Sequence, residues 1–455
     1  MAHSADDWEA GQGLSWISQF DNHRSPFYIA LVKWRNQLLA LLCLIAFAGL
    51  GVLYFQHWVV QRSFGIILII GEGLGPERIA LTRSYLGGAD TRLNVDSMPH
   101  VAMVRNYARD FAVPDQAAAA TALATGVKVN NRSLSIDATG KPLPTIVELA
   151  RERGRAIGLI SDKNLTNPTC AAFYVHSNTA GDTEQIAKQF VEGGKIDIGL
   201  GSSAAEFLPD TKHGHRQDHR DLLLELRGAG FDVVRNRADL EAIPAWRRPK
   251  LFAAFGENDS ARDSNQNWSD EPSLSDTVRR AIELLQYNQR GYVLVIDAAR
   301  MREAAEANDA ENTLKQTAEF DRAVATAHRY AGGRSTIIVC GDVAIGGLHA
   351  NGFPFRKDSG IALLGLNPAG QPWLTWATGP NGMQSYGAAK LPENERETST
   401  SAGQLKEQSQ PAAFYAPSAL PTVEDIVAFG SGRGSETLHG TIDNTDIFKI
   451  LSDEL

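Results

Sequence analysis

The chain has 455 residues, of which 43% are hydrophobic and 21% are charged, and its formal net charge is −9. This length can bury one large core or two ordinary ones, and the composition is typical of a folded globular protein. The negative charge argues against a nucleic-acid partner, because phosphate backbones are bound by basic surfaces. The three cysteines, Cys43, Cys170 and Cys340, cannot form a disulfide framework.

A long apolar segment lies near the N-terminus. Residues 38–55 contain no charged or amide side chain, and about 20 such residues cross the hydrocarbon core of a bilayer. Trp34 and Trp58 flank the segment where interfacial aromatic residues are expected. A cleaved signal peptide would have a shorter leader, and a buried core helix would show a polar face. We therefore predict a transmembrane signal anchor over residues 37–59, preceded by a cytoplasmic segment over residues 1–36.

Basic residues set the expected orientation of this anchor. Arg24, Lys33 and Arg35 precede it, whereas Arg62 is the only early basic residue after it. By the positive-inside rule, the N-terminus lies in the cytoplasm. The main domain is then expected on the periplasmic or extracytoplasmic side of an inner or plasma membrane.

The rest of the chain, residues 64–455, alternates continuous apolar runs with amphipathic helical stretches. Apolar runs of this kind are typical of strands buried on both faces of a parallel sheet. Their alternation with helices predicts an α/β fold, an α/β/α sandwich with a large, mostly parallel central sheet. The runs cover residues 64–70, 156–161, 291–297, 335–342 and 426–432.

Acidic residues stand at the carboxyl ends of three predicted strands. They are Glu72, Asp297 and Asp342. Because function collects at these ends in open parallel sheets, the three carboxylates mark a candidate site. Each of them, taken alone, is equally compatible with a solvated loop residue.

Two polar segments have no firm chemical role. Residues 393–420 are low in complexity, which predicts an exposed, flexible insertion rather than a linker between two cores. His213, His215 and His219 are close enough in sequence to form a three-imidazole metal site. They precede a surface-type helix, so a solvated loop is the preferred interpretation.

Six segments of the chain carry a resemblance to a known family. They are residues 66–75, 114–131, 145–161, 271–301, 335–347 and 423–432. In their order and spacing these segments resemble the alkaline phosphatases, and the resemblance implies that fold for residues 64–455. It also implies two zinc ions and usually one magnesium ion at the strand ends, a serine nucleophile activated by zinc, and an arginine that holds the phosphate.

Both groups that would handle a phosphate ester are missing at the positions that the resemblance implies. The nucleophile position, which follows Asp115, is Gln116, and a glutamine amide cannot be activated to attack phosphorus. The phosphate-holding arginine would lie after the strand at 156–161, but no arginine occurs between Arg155 and Arg216. Lys163 is the nearest base in that stretch, and it lacks the fork geometry.

The first zinc site that the resemblance implies has lost its ligands. Its Asp-x-x-x-His pair falls on Arg302 and Glu306, and its late histidine falls on Pro421. Neither arginine nor proline can ligate zinc, so this site should hold none. Arg302 is expected to replace the positive charge of the missing zinc ion. On a helix it would pair with Glu306, four residues further on, and its side chain is long enough to approach Asp342. A solvent-exposed arginine is the alternative.

The second zinc site and the magnesium site are less damaged. The second zinc position keeps the carboxylates of Glu72 and Asp342, but its imidazole is replaced by Val343. The magnesium counterparts all carry oxygen ligands, which suit a hard cation, so one Mg²⁺ or Ca²⁺ ion is the only metal that we consider. The alternative is that these groups hydrogen-bond one another. They are Glu72, Asn167, Thr169 and Asp297.

These losses occur together while the scaffold segments remain. We therefore predict a membrane-anchored pseudoenzyme of the alkaline phosphatase fold, without zinc, that binds a protein partner or forms a homodimer within an assembly. The alternative is a divergent metal-dependent phosphomonoesterase that uses water activated by Glu72, Asp297 and a hard cation. A third possibility is a sensor that binds an anion through Arg302 and Lys163 without turnover.

Overall fold

The computed structural model describes residues 26–54, 64–247, 250–256, 271–352, 356–358, 360–367, 370–382 and 410–455. The chain forms two compact units, Met1–Gln61 and Arg62–Leu455. Most of the predicted cytoplasmic segment, the end of the predicted anchor and the first part of the predicted insertion lie outside the described residues.

The first unit contributes one long helix, α1 (Pro26–Tyr54). Its apolar part, Lys33–Leu53, has 21 residues with a mean hydropathy of 2.1, which is long and apolar enough to cross a membrane. Large apolar side chains such as Leu44 and Phe47 are exposed along it. The helix begins before the predicted anchor start at residue 37.

The second unit is built around a ten-stranded sheet with the order β13-β2-β12-β8-β1-β7-β3-β4-β6-β5. Strands β8, β1, β7, β3, β4 and β6 are parallel neighbours, and all five predicted apolar runs are strands of this sheet. The last run, β12, lies antiparallel to both β8 and β2, so the sheet is mixed although mostly parallel. The strands are β1 (Gly65–Gly71), β2 (His100–Arg105), β3 (Ala156–Ser161), β4 (Ile198–Ser203), β5 (Phe231–Val234), β6 (Lys250–Gly256), β7 (Tyr292–Ala298), β8 (Thr336–Gly341), β12 (Ile426–Ser431) and β13 (Thr441–Asp443).

Helices cover both faces of this sheet, as the α/β/α prediction requires. Successive side chains of a strand point to opposite faces, so Leu68 and Ile70 of β1 enter one apolar cluster, whereas Ile67 and Ile69 enter another. Cys170 and Cys340 are buried in the first cluster. The helices are α2 (Pro76–Gly87), α3 (Gln116–Thr125), α4 (Ile146–Glu152), α5 (Pro168–Ala171), α6 (Thr183–Gly193), α7 (Leu222–Gly228), α8 (Arg237–Ala242), α9 (Leu274–Leu285), α10 (Arg300–Glu306), α11 (Ala310–Ala331) and α12 (Asn444–Asp453).

A second, three-stranded sheet has the order β11-β10-β9, formed by β9 (His349–Ala350), β10 (Leu374–Gly379) and β11 (Ala412–Tyr415). Residues 412–415, near the end of the predicted flexible insertion over 393–420, form strand β11 and pair with β10 in parallel, so the prediction does not hold for these four residues. The sequence Ala-Ala-Phe-Tyr in this strand has aromatic residues that favour a pleated surface. The prediction overlooked that signal because the surrounding sequence is polar.

Candidate functional site

The carboxyl ends of neighbouring strands bring the three predicted carboxylates together. Strands β8, β1 and β7 are adjacent, and Asp342 directly follows β8 while Glu72 directly follows β1. Asp297 is the next-to-last residue of β7 and pairs in register with Ile70. All three side chains are buried, with at most 1% of each residue exposed. Three carboxylates so far from water need compensating positive charge or protons.

Arg302 supplies positive charge in the middle of this group. Its Nε lies 2.5 Å from Glu72 Oε2, its Nη1 lies 3.2 Å from Glu306 Oε1, and its Nη2 donates to Asn167 Oδ1 at 3.0 Å. The predicted pair between Arg302 and Glu306 on helix α10 is therefore formed. Asp342 interacts with Arg302 through charge rather than through a hydrogen bond. Each nitrogen of the guanidinium is already bound to a protein oxygen.

Asn167 connects the carboxylates on the other side. Its amide nitrogen donates to Glu72 Oε1 at 2.7 Å and to Asp297 Oδ2 at 3.0 Å, and the hydroxyl of Ser161 also donates to Asp297 Oδ2. The amide thus presents N–H groups to the carboxylates and its oxygen to Arg302. A hard cation would need the opposite orientation, with the oxygen facing the carboxylates.

Three buried oxygen atoms at the site have no hydrogen bond of normal geometry: Asp297 Oδ1, Thr169 Oγ1 and Asp342 Oδ2. Of the four predicted magnesium ligands, only Asp297 and Thr169 therefore keep an oxygen that another group has not already engaged. The residues present do not fit a magnesium ion as they are arranged. The free oxygens still mark where a small ligand or a water molecule would be held.

The pKa values of the three carboxyl groups are shifted in different directions. Burial alone would raise the pKa of Glu72, but the charge of Arg302 and several hydrogen bonds outweigh it, so the pKa is lowered. Burial and the charge of Glu72 raise the pKa of Asp297 well above its usual range. The same two causes raise the pKa of Asp342 to about 7. The pKa of Glu72, beside Arg302, is therefore lowered, whereas the pKa values of Asp297 and Asp342 are raised.

A second buried cation, Arg78, was not predicted from the sequence. Its Nη1 donates to the backbone oxygen of Glu72 at 3.0 Å, and its guanidinium lies against Gly73. Burial lowers the pKa of Arg78 to about 10, although the charges of Asp342 and Glu424 oppose that shift. Gly73 has a φ of 82° and donates its N–H to Asp342 Oδ1. The sequence signal that could have identified Arg78 is its position in the first turn of the helix that follows the strand-end carboxylate of Glu72.

The sequence model of the family described as "Alkaline phosphatase" matches residues 65–455. The chain belongs to the alkaline phosphatase family. It is 27% identical over 442 residues to the tissue-nonspecific isozyme of Gallus gallus, covering 85% of this chain and 83% of that protein. It is 25% identical over 420 residues to alkaline phosphatase 4 of Bacillus subtilis, covering 85% of this chain and 88% of that protein.

Solved alkaline phosphatases share the fold. The enzyme from Thermus thermophilus superposes with a TM-score of 0.68 at 21% identity, covering 87% of this chain and 92% of that chain. The enzyme from the Antarctic bacterium TAB5 gives 0.65 at 19% identity, covering 87% of this chain and 98% of that chain. The architecture around the site is therefore that of the alkaline phosphatases.

The predicted nucleophile position lies at the start of a helix. Gln116 is the first residue of α3, and Asp115 caps that helix by accepting the N–H of Ala118 at 2.8 Å. The nearest hydroxyl in the helix, that of Thr121, is buried and donates to the backbone oxygen of Ser133. Asp115 thus has a structural partner, and the Thr121 hydroxyl is committed to the backbone.

Two of the positions at which we predict that a zinc ligand has been lost lie in apolar or backbone contacts. Val343 is fully buried in a cluster that also contains Ala305 of α10. Pro421 pairs with Ile345 in an isolated bridge. Neither position offers a side-chain nitrogen or oxygen that could bind a metal ion.

The remaining polar candidates are engaged by protein groups. Lys163 Nζ lies 2.8 Å from Glu303, so neither Lys163 nor Arg302 presents a free cation to an anion. His215 Nδ1 lies 3.5 Å from Glu206, and His219 Nδ1 lies 3.3 Å from Asp210. Within the described part of the chain, no three His, Cys, Asp or Glu side chains are grouped so as to hold a metal ion.

Replacing Arg302 by alanine tests its role as the resident cation. The substitution leaves the buried carboxylate of Glu72 without its partner, which should lower the free energy of unfolding by roughly 3–5 kcal/mol. Arg356→Ala is the control, because Arg356 is exposed and should change stability by less than about 0.5 kcal/mol. Denaturant unfolding of the full chain in detergent measures both. Equal stability of the Arg302 variant and the wild type would remove the compensation argument.

Asp342→Asn tests the charge state of the third carboxylate. The folded pKa of Asp342, about 7, lies above its unfolded value, so this group makes stability fall as pH rises from roughly 4 to 7. Because asparagine cannot ionise, the stability of the variant relative to the wild type should be higher at pH 8 than at pH 5. Thermal unfolding in the presence of a chelator measures the difference. The exposed Asp358→Asn variant should show no such pH dependence, and the same flat response from Asp342→Asn would contradict the raised pKa.

Proposed function

We propose that this chain is a membrane-anchored member of the alkaline phosphatase family that does not hydrolyse phosphate esters. It serves instead as a binding or structural component of an assembly. One observation carries the proposal: the guanidinium of Arg302 is bound to Glu72, Glu306 and Asn167 within the group of strand-end residues. A divalent cation would have to displace this arginine, because like charges in a buried site repel strongly.

The missing reaction groups support the same proposal. Gln116 stands where a nucleophile is required and has no chemistry for attack on phosphorus. Lys163 is paired with Glu303, so the phosphate would meet no guanidinium fork and no free ammonium at this point. The scaffold, in contrast, matches the family over residues 65–455. A retained scaffold without these groups suits binding better than catalysis.

The proposed location follows from helix α1 and its flanking charges. Lys33–Leu53 serves as a single-pass anchor, with the N-terminus in the cytoplasm and the family domain on the outer side of an inner or plasma membrane. The partner of the domain is another protein or a second copy of this chain, and nucleic acid is not a partner. Light scattering of the purified chain distinguishes a monomer from a homodimer.

A divergent metal-dependent phosphomonoesterase is the second candidate. It is favoured by the three buried oxygens of Asp297, Thr169 and Asp342 that lack normal hydrogen bonds. If the site rearranged, a hard cation bound there would supply activation of a water molecule, and Asp297 would hold it. Phosphate-ester turnover that is saturable and is abolished by Asp297→Ala would establish this candidate.

Hydrolysis of p-nitrophenyl phosphate by the full chain in detergent tests the first proposal. We expect no turnover above a heat-denatured sample, with or without added Zn²⁺ and Mg²⁺, because no nucleophile is present at Gln116. The Bacillus subtilis relative serves as the positive control under the same conditions. Saturable turnover that survives repurification would overturn the proposal.

A further inference from the structure

The amino edge of the sheet, opposite the candidate site, carries a row of basic side chains. Parallel strands β8, β1, β7, β3, β4 and β6 all begin at this edge. Neighbouring strands lie about 4.8 Å apart, so the row extends for roughly 25 Å. Its exposed members lie in the turns that lead into these strands, or open a strand: Arg334 before β8, Arg290 before β7, Arg153 before β3, and Lys250 as the first residue of β6. Arg155, which directly precedes β3, is buried and donates to backbone oxygens, so it is not part of the row.

A cleft of about 280 Å³ lies in the middle of this row. Arg151, Arg155, Lys250 and Asn288 are among the residues that line it, and Asp197 is the acidic residue on its wall. Arg151 holds both oxygens of Asp197 at 2.7 Å. The cleft therefore has more positive than negative charge, and its size suits a phosphate-bearing headgroup.

Exposed aromatic residues stand beside the basic row. Trp246 is 72% exposed just before β6, and Tyr287 is 43% exposed in the turn before β7. Each of these rings has an apolar body and one polar group, an N–H in tryptophan and an O–H in tyrosine. Tryptophan and tyrosine next to arginine and lysine are typical of surfaces that contact the headgroup region of a membrane.

The chain enters the family domain at this same edge. Phe64 precedes β1, and Arg155 Nη1 donates to its backbone oxygen at 3.1 Å. Nine residues, 55–63, separate Phe64 from the end of the apolar helix in the sequence. A chain of net charge −9 is repelled as a whole by an anionic surface, so close approach favours its basic face.

We infer that the amino edge of the sheet docks on anionic phospholipid headgroups, with Trp246 and Tyr287 entering the interface and the basic row contacting phosphates. The inference rests on the membrane anchor in the proposed function. It adds a fixed orientation, because docking through the amino edge leaves the carboxyl edge and its degenerate site facing away from the lipid.

Hydrogen exchange of the full chain in lipid nanodiscs tests this docking. Discs of phosphatidylcholine alone are compared with discs that contain equal amounts of phosphatidylcholine and phosphatidylglycerol. We expect amides of residues 151–155 and 287–291 to exchange at least threefold more slowly in the anionic discs. Because the contact is electrostatic, 0.5 M salt should remove the protection.

Charge reversal identifies the residues that carry the contact. Arg153→Glu combined with Arg290→Glu should abolish the lipid-dependent protection, since both residues are exposed at the edge. Arg356→Glu, at an exposed arginine elsewhere on the domain, should leave the protection unchanged. Equal exchange in the two kinds of disc, or protection that the double variant retains, would overturn the inference.

Two further outcomes separate this inference from the proposed anchor. A chain that fails to enter phosphatidylcholine discs but floats with phosphatidylglycerol vesicles would remove the anchor and leave the docking edge. A chain that enters the discs without protection at the edge would keep the anchor and remove the docking edge. Tighter binding to a DNA oligonucleotide than to the anionic vesicles, lost in the same double variant, would make the edge a nucleic-acid site and overturn the lipid assignment.

Discussion

The ion pair between the buried Glu72 and the partly buried Arg302 is the constraint on which the rest of the site depends. The sheet order places Glu72, Asp297 and Asp342 at three adjacent strand ends, where each carboxylate is removed from water. An unpaired buried charge costs several kcal/mol, at least about 3 in typical cases, so the group cannot remain fully ionised without a cation. Arg302 neutralises Glu72, and the pKa values of Asp297 and Asp342 rise because burial and the remaining negative charge both favour the proton.

This arrangement also explains how separate elements are held at the carboxyl edge. Arg302 belongs to α10, Glu72 follows β1, and Asn167 directly precedes the short helix α5, so one guanidinium joins three elements. On the other side of Glu72, the buried Arg78 bonds to its backbone oxygen. The Arg302 side chain thus holds these elements together through its hydrogen bonds and its charge.

Part of this could be predicted from the sequence, for definite reasons. The apolar runs of β1, β7 and β8 are long and unbroken, and a carboxylate at the carboxyl end of each strand predicts that Glu72, Asp297 and Asp342 meet. The pair between Arg302 and Glu306 follows from helical spacing.

The orientation of the Asn167 amide could not be predicted, because it depends on which neighbours surround it in space. Arg78 was missed because an arginine in a first helical turn is usually solvated. Strand β4, Ile198–Ser203, contains two glycines and two serines, so its composition did not indicate a strand.

The two edges of the sheet carry side chains of opposite charge. Carboxylates gather at the strand ends, while arginines and a lysine stand in the turns where the strands begin. This separation of charge gives a chain of net negative charge one face that suits an anionic surface. It is compatible with the proposal that the site at the carboxyl edge is a structural centre rather than a place of turnover.

The metal content of the purified full chain, measured by elemental mass spectrometry, tests the central claim most directly. The account predicts no zinc, since Arg302, Val343 and Pro421 replace the groups that would bind it, and at most one magnesium or calcium ion per chain. Close to two zinc ions per chain would contradict the account, because it would show that Arg302 does not occupy the place of the metal.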